Sequence, residues 1–104
     1  MQAYKEITMK IYVDDVRPRP EGFNVLVHSV NEAIKIIEAC EAKGEPIELI
    51  SLDHDLGEFA PDGGDAICLL DYLVEHEKFY PIVFHTANPI GRANMQRIID
   101  RFWP

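Results

Sequence analysis

A chain of 104 residues, 47% hydrophobic and 27% charged, has room for one core, because a second would bury too little surface to offset its ordering entropy. Its formal net charge of −8, from 18 acidic and 10 basic residues, repels a long phosphate backbone and argues against duplex DNA as a partner. No apolar run is long enough to cross a bilayer, and the opening MQAYKEITMK lacks the apolar core of a secretion signal, so the expectation is a single cytoplasmic domain, residues 1–104, with no membrane role. Nothing in the sequence sets its oligomeric state.

The first predicted strand, Met9 to Val13, ends at Asp14-Asp15, and a second runs from Phe23 to Val27. Between them DDVRPRPEG carries two prolines and leaves no room for a helix. A parallel return normally takes a dozen or more residues, yet this linker has nine. Extended at roughly 3.3 Å per residue, it still reaches back along a five-residue strand. A stretched arm between parallel strands and an antiparallel hairpin both fit.

Ser29 or Asn31 caps a helix running to about Glu41, with Ala33, Ile34, Ile37 and Cys40 on one face, and the Lys43–Pro46 turn stops it. Ile47 to Leu52 reads as a third strand, apolar enough to be covered on both faces, and Asp53, His54 and Asp55 stand at its end. After an acidic, glycine-rich loop, Gly63-Gly64 lead into a second helix ending near His76, with Ala66, Leu69, Leu70 and Leu73 as its apolar stripe. A fourth strand, Ile82 to His85, precedes Thr86-Ala87-Asn88-Pro89, and a last helix ending near Phe102 repeats Met95, Ile98, Ile99 and Phe102 at helical spacing. Cys40 and Cys68, both in helical segments, are expected as reduced core thiols. The alternation predicts an open parallel α/β sheet with helices on both faces.

In such a sheet all strand ends share one edge, where ligands bind. That rim collects Asp14, Asp15, Asp53, His54, Asp55, His85, Thr86 and Asn88. Each has an ordinary structural reading: a turn former for Asp14 or Asp15, a loop cap for Asp55, and a helix cap for Asn88 before Pro89. Their convergence does not, because packed carboxylates raise one another's pKa and cost stability unless a cation neutralises them. Mg²⁺ or Mn²⁺ suits carboxylates that leave positions for phosphate oxygens. Zn²⁺ held by His54 and His85 with carboxylates is the rival, although the spacing is that of no strong zinc motif. Imidazoles are the usual proton carriers near pH 7. Helix N-termini after Gly64 and Pro89 would aim backbone N–H groups at the rim, and Arg17 and Arg92 flank it as phosphate-gripping guanidiniums.

These residues resemble response-regulator receiver domains: an acidic pair after the first strand, Asp53 at the phosphoacceptor position and Thr86-Ala87 after the fourth strand. The first helix, the fifth strand and its lysine are missing, and Gly57 stands where receivers usually have proline. The motifs D-D-V-R-P-x-P-E-G (Asp14–Gly22), S-L-D-H-D-L-G (Ser51–Gly57) and H-[ST]-A-N-P-x-G-R-x-N-M (His85–Met95) resemble more closely a small receiver-like family assigned to cyclic-phosphate processing. The resemblance implies a truncated flavodoxin-like, receiver-like sheet of about four strands with three helices. It also implies metal-dependent opening of a cyclic phosphate on a nucleotide or RNA end, as in RNA repair. Asp14, Asp15, Asp53 and Asp55 would then serve the metal, Asp53, His54 and His85 catalysis, and Thr86, Asn88, Arg17 and Arg92 the phosphate, with the orienting of one histidine as the alternative role of Asp55. A non-catalytic module for a small phosphate ligand or RNA end, and a phosphoacceptor switch at Asp53, are the rival classes.

Overall fold

The computed structural model describes residues 8–104; the reading of the opening residues as lacking a secretion signal falls largely on residues 1–7, which lie outside them. Among the described residues four strands, β1 (Met9–Val13), β2 (Val25–Val27), β3 (Ile47–Leu52) and β4 (Ile82–Phe84), form one sheet in the order β2-β1-β3-β4. Every pairing is parallel, which decides for the stretched arm and against the hairpin. No helix among the described residues is long and apolar enough to cross a membrane.

The arm holds by local bonds. Asn24 Oδ1 accepts from the Lys10 N–H at 2.7 Å and its own N–H donates to Lys10 O, so the second strand starts at Val25, two residues later than its apolar run. Asp14 N–H donates to Val27 O and closes the far end of the pairing.

Helix α1 (Val30–Lys43) is capped by Ser29, whose Oγ accepts from Glu32 N–H, and ends at Gly44 with φ +70°. Helix α2 (Ile67–Glu75) begins three residues beyond the glycine pair, because Gly63 and Gly64 take φ +108° and +94°, which no α-helix accommodates. Helix α3 (Pro89–Phe102) starts on Asn88, whose Oδ1 accepts from Gly91 N–H, with Pro89 at the first helical position where its missing donor costs nothing.

Among the described residues, helices cover one face of the sheet, not two as expected. The β2-to-β3 and β3-to-β4 crossovers step across the sheet in the same direction, so right-handed connections place α1 and α2 on the same side, and α3 packs against α2. Under them lie Ile11, Val13, Ile50 and Leu52, all fully buried, with Leu56, Leu69, Leu70, Leu73 and Met95. The register sets Tyr12, Ser51 and Val83 side by side on the other face, where Val83 is 45% exposed. Phe23, from the proline arm, meets Tyr12 edge-on there with ring centroids 5.1 Å apart. Cys40 and Cys68 are both free thiols, as expected.

Far from the strand ends, Glu41 ties α1 to the segment before β4. It accepts from Lys78 Nζ at 2.7 Å and from the Tyr80 hydroxyl. Burial alone would raise the Glu41 pKa, but those two hydrogen bonds hold it below the ordinary glutamate value. Burial, reinforced by Glu41, pushes Tyr80 up to about 12. The lowered Glu41 contributes stability that is present above the ordinary glutamate pKa and lost as pH falls through the folded value. The raised Tyr80 contributes below the ordinary tyrosine value of 10.0 and fades as pH climbs toward 12. Glu41→Gln is expected to cost about 1 kcal/mol at pH 7 and to flatten the urea midpoint against pH at both ends, as measured by a denaturation series.

Candidate metal and phosphate site at the strand ends

Asp14 is fully buried where β1 ends, and its carboxylate accepts four hydrogen bonds. Oδ1 takes the Val16 and Arg17 N–H groups at 2.9 and 2.8 Å; Oδ2 takes Arg17 Nη1 and His85 Nε2, each at 2.9 Å. Burial would raise its pKa, but these partners together lower it to about 2. Asp14, Asp15 and Asp53 each offer one carboxylate oxygen within 4.8 Å of the others. Arg17 Nη1 also lies 3.4 Å from Asp53 Oδ2, so one guanidinium answers two of the three carboxylates. Three carboxylates and one arginine leave a formal charge of −2. Hard oxygen donors with that residual charge fit a divalent cation of the Mg²⁺ type.

Neither histidine belongs to this trio, which is the sole such group of His, Cys, Asp or Glu side chains among the described residues; the donor set is therefore not one that zinc favours. His85 sits on the helix-free face, its ring stacked on Tyr12 with centroids 4.0 Å apart. Its Nδ1 lies 2.7 Å from Ser51 Oγ and its Nε2 2.9 Å from Asp14 Oδ2. An ionised Asp14 only accepts, so neutral His85 carries its proton on Nε2 and takes the Ser51 hydroxyl at Nδ1. Burial holds His85 below the usual histidine pKa despite the opposing pull of Asp14.

His54 is arranged differently. Its N–H donates to Asp53 Oδ1 at 2.8 Å, and its Nδ1 donates to Asp55 Oδ1 at 2.9 Å. Asp55 lies outside the trio, exposed, and also accepts from the Asn88 amide at 3.1 Å. The hydrogen bonds from His54 and Asn88 hold its carboxyl below the usual aspartate value. His54 Nε2 has no partner among the described residues.

Thr86 Oγ1 accepts from Asn88 N–H at 3.1 Å, leaving its hydroxyl proton free to donate. Arg92 is exposed, and its guanidinium donates to Phe84 O at 2.7 Å, which anchors it beside the end of β4. At the start of α2 part of the expected anion site is spent, since Ala66 N–H donates to His54 O and Cys68 N–H to Asp65 O. At α3, Pro89 has no N–H, and Asn88 takes those of Gly91 and Arg92, which leaves the Ile90 amide.

A family model described as "Cyclic-phosphate processing Receiver domain" matches residues 9–101. The chain belongs to that family. No curated protein and no solved structure matches it.

Three further residues of this receiver domain, each a letter of the sequence motifs, take supporting roles that the sequence alone does not reveal. Ser51 passes as one more residue of an apolar strand, yet it holds His85. Gly57, at φ +52°, lies so close to Asp15 that an added Cβ would stand 2.5 Å from Oδ2; proline, fixed near −65°, has no access to that conformation. Gly91 receives the His54 ring, and an added Cβ would overlap it. Its sequence signals are its place in the H-[ST]-A-N-P-x-G-R-x-N-M motif and its position in the first turn of a helix, where glycine is costly without a reason.

At an unhindered helical position Gly→Ala adds about 1 kcal/mol of stability. Gly91→Ala is expected instead to lower the urea midpoint and to move the His54 imidazole resonances in NMR, while Gly91→Ala with His54→Ala recovers the lost stability. Ser51→Ala, which leaves His85 Nδ1 without its donor, is expected to cost about 1–3 kcal/mol, read from the same denaturation curves.

Proposed function

We propose that the strand-end rim hydrolyses a cyclic phosphate carried by a nucleotide or an RNA end, with Mg²⁺ or Mn²⁺ as its cofactor. The observation that carries this reading is one loop, Asp53 to Asp55, which contributes a carboxylate to the acidic trio and, next to it, an imidazole oriented by its own carboxylate. A divalent ion held by Asp14, Asp15 and Asp53 would supply charge neutralisation and Lewis-acid polarisation at a phosphoryl oxygen.

The protein's own groups divide the remaining work. Asp55 fixes the Nδ1–H tautomer of His54, so the Nε2 lone pair is the one offered to a proton. His54 takes the proton of the attacking water and returns one to the departing ribose oxygen. Hydrolysis thus breaks one P–O bond of the ring, forms one to the water oxygen and leaves a phosphomonoester beside a free hydroxyl.

His85, expected as a second proton carrier, is better suited to positioning: both its nitrogens are engaged, Nδ1 by the Ser51 hydroxyl and Nε2 by Asp14. Asn88 likewise positions, since its two amide ends hold Gly91 and Asp55. Asp55, expected as a metal ligand, orients His54 in this reading. Thr86 and the partly exposed Arg17 remain the donors for phosphate oxygens, with Arg92 behind them.

Phosphorus NMR of a 2′,3′-cyclic-phosphate oligonucleotide and of a panel of cyclic nucleotides, incubated with protein and Mg²⁺, tests this. Loss of the cyclic signal is expected with metal and not with EDTA. Asp53→Asn should abolish turnover with the fold intact by circular dichroism, and His54→Ala should reduce it on the order of 10²–10⁴-fold. Tight binding without turnover would favour a binding module, and a stable phosphoryl adduct on Asp53 after treatment with a small phosphodonor would favour a receiver-type switch.

A further inference from the structure

The charge of this chain is unevenly placed. Residues 86–104 carry Arg92, Arg97 and Arg101 against Asp100 alone, a formal charge of +2, while residues 1–85 carry −10. None of these three arginines pairs with a carboxylate among the described residues, and the single acid, Asp100, accepts from Gln96.

Two of these arginines, Arg97 and Arg101, share one exposed strip of helix α3, while Arg92 turns aside to Phe84 O. Met95 and Gly91 face the core, whereas Ile90, Arg97 and Arg101 are exposed, Ile90 at 74%. Ile90, Asn94, Arg97 and Arg101 follow the i, i+4, i+7, i+11 spacing that places residues in one row along a helix. Arg97 Nη1 donates to Asn94 Oδ1 at 3.1 Å, which joins two members of the row. The row spans about 16 Å at 1.5 Å per residue. Its head lies at the rim, because Asn88, the cap of this helix, holds Asp55, and its tail points away from the rim.

We propose that this row is the docking surface for the single-stranded RNA that leads into the terminal cyclic phosphate. The proposal rests on the reading of the rim given above and narrows its substrate from any cyclic nucleotide to an RNA end. Charge complementarity carries it: a basic helix in an acidic protein starts at the phosphate site and leads away from it. Arg97 and Arg101 meet phosphates of the preceding nucleotides, and the aliphatic Ile90 offers a face to a base near the end. A duplex, with phosphates on two strands, meets the acidic remainder of the surface and is refused.

Fluorescence anisotropy of a labelled six-nucleotide single-stranded RNA ending in a 2′,3′-cyclic phosphate tests the surface without needing turnover. The Arg97→Glu/Arg101→Glu double variant is expected to weaken binding at least about tenfold and to reduce the slope of log K against log salt by about 0.7 for each phosphate that is no longer neutralised. Thermal unfolding checks that it folds, and Arg97→Gln/Arg101→Gln, expected to fall between it and the wild type, repeats the test without charge reversal. Handling of a mononucleoside 2′,3′-cyclic phosphate should be the same in all three proteins. Equal RNA affinity in wild type and folded variants would overturn the proposal, whatever the rim does to small cyclic phosphates. So would a poly-glutamate peptide that binds the wild type as tightly as the RNA does. If the RNA binding and its arginine dependence hold while no cyclic phosphate is opened, the surface stands and hydrolysis fails.

Discussion

A carboxylate with no exposure to water is tolerable only when its charge is answered on every side, and the four hydrogen bonds to Asp14 set the geometry of everything near it. Two come from consecutive backbone N–H groups, Val16 and Arg17, so the chain must turn immediately after β1. The third draws the Arg17 guanidinium inward, and the fourth fixes His85 at the end of a strand two positions away in the sheet. Asp15 and Asp53 are thereby brought beside a group that stays ionised down to about pH 2. The resulting concentration of negative charge is a consequence of the fold's own satisfied interactions, with Arg17 as the resident countercharge.

The one-sided helix layer explains how His85 is held. A helix between β1 and β2 would cross the face that carries Tyr12, Ser51 and Val83; the proline arm places no helix there. Tyr12 stacks on the imidazole and Phe23 closes on Tyr12 from the arm. The same desolvation that lowers the His85 pKa strengthens its contact with Asp14, since both hydrogen-bond partners are removed from competing water. The short, helix-free connection thus shapes the site as well as the topology.

Much of this is legible in the sequence because strand ends converge in a parallel sheet: the rim residues follow from the apolar, β-rich runs and the punctuation after them. The direction of β2 is not legible, since nine extended residues reach either way and the deciding contacts are the bonds between Asn24 and Lys10. Helices on both faces are the ordinary inference from alternating elements; strand order, a long-range property, overrules it. The start of α2 is misplaced by sequence because Gly63 and Gly64 read as a lead-in to the helix, whereas both take positive φ and Asp65 holds the Leu56 N–H at 3.0 Å. Which rim groups pair with which is tertiary information too, and it separates two histidines that look alike in sequence.

The motif S-L-D-H-D-L-G can now be read as contacts. Ser51 donates to His85, and Leu52 is fully buried in the core; Asp53 joins the acidic trio. His54 lies in the space left by Gly91, and Asp55 accepts from His54 and Asn88. Leu56 is fully buried, and Gly57 takes the positive φ that brings the chain against Asp15. Alternate positions serve different layers because a strand end points successive side chains to opposite sides. That is why an apolar residue stands on each side of the D-H-D run: the leucines lock the loop into the core, and the polar side chains between them are left with little freedom. A site on so short a loop is held by packing from below and by Asn88 and Gly91 from α3, so Asp53 and His54 keep their relation to each other through rigid elements and not through the loop's own stiffness.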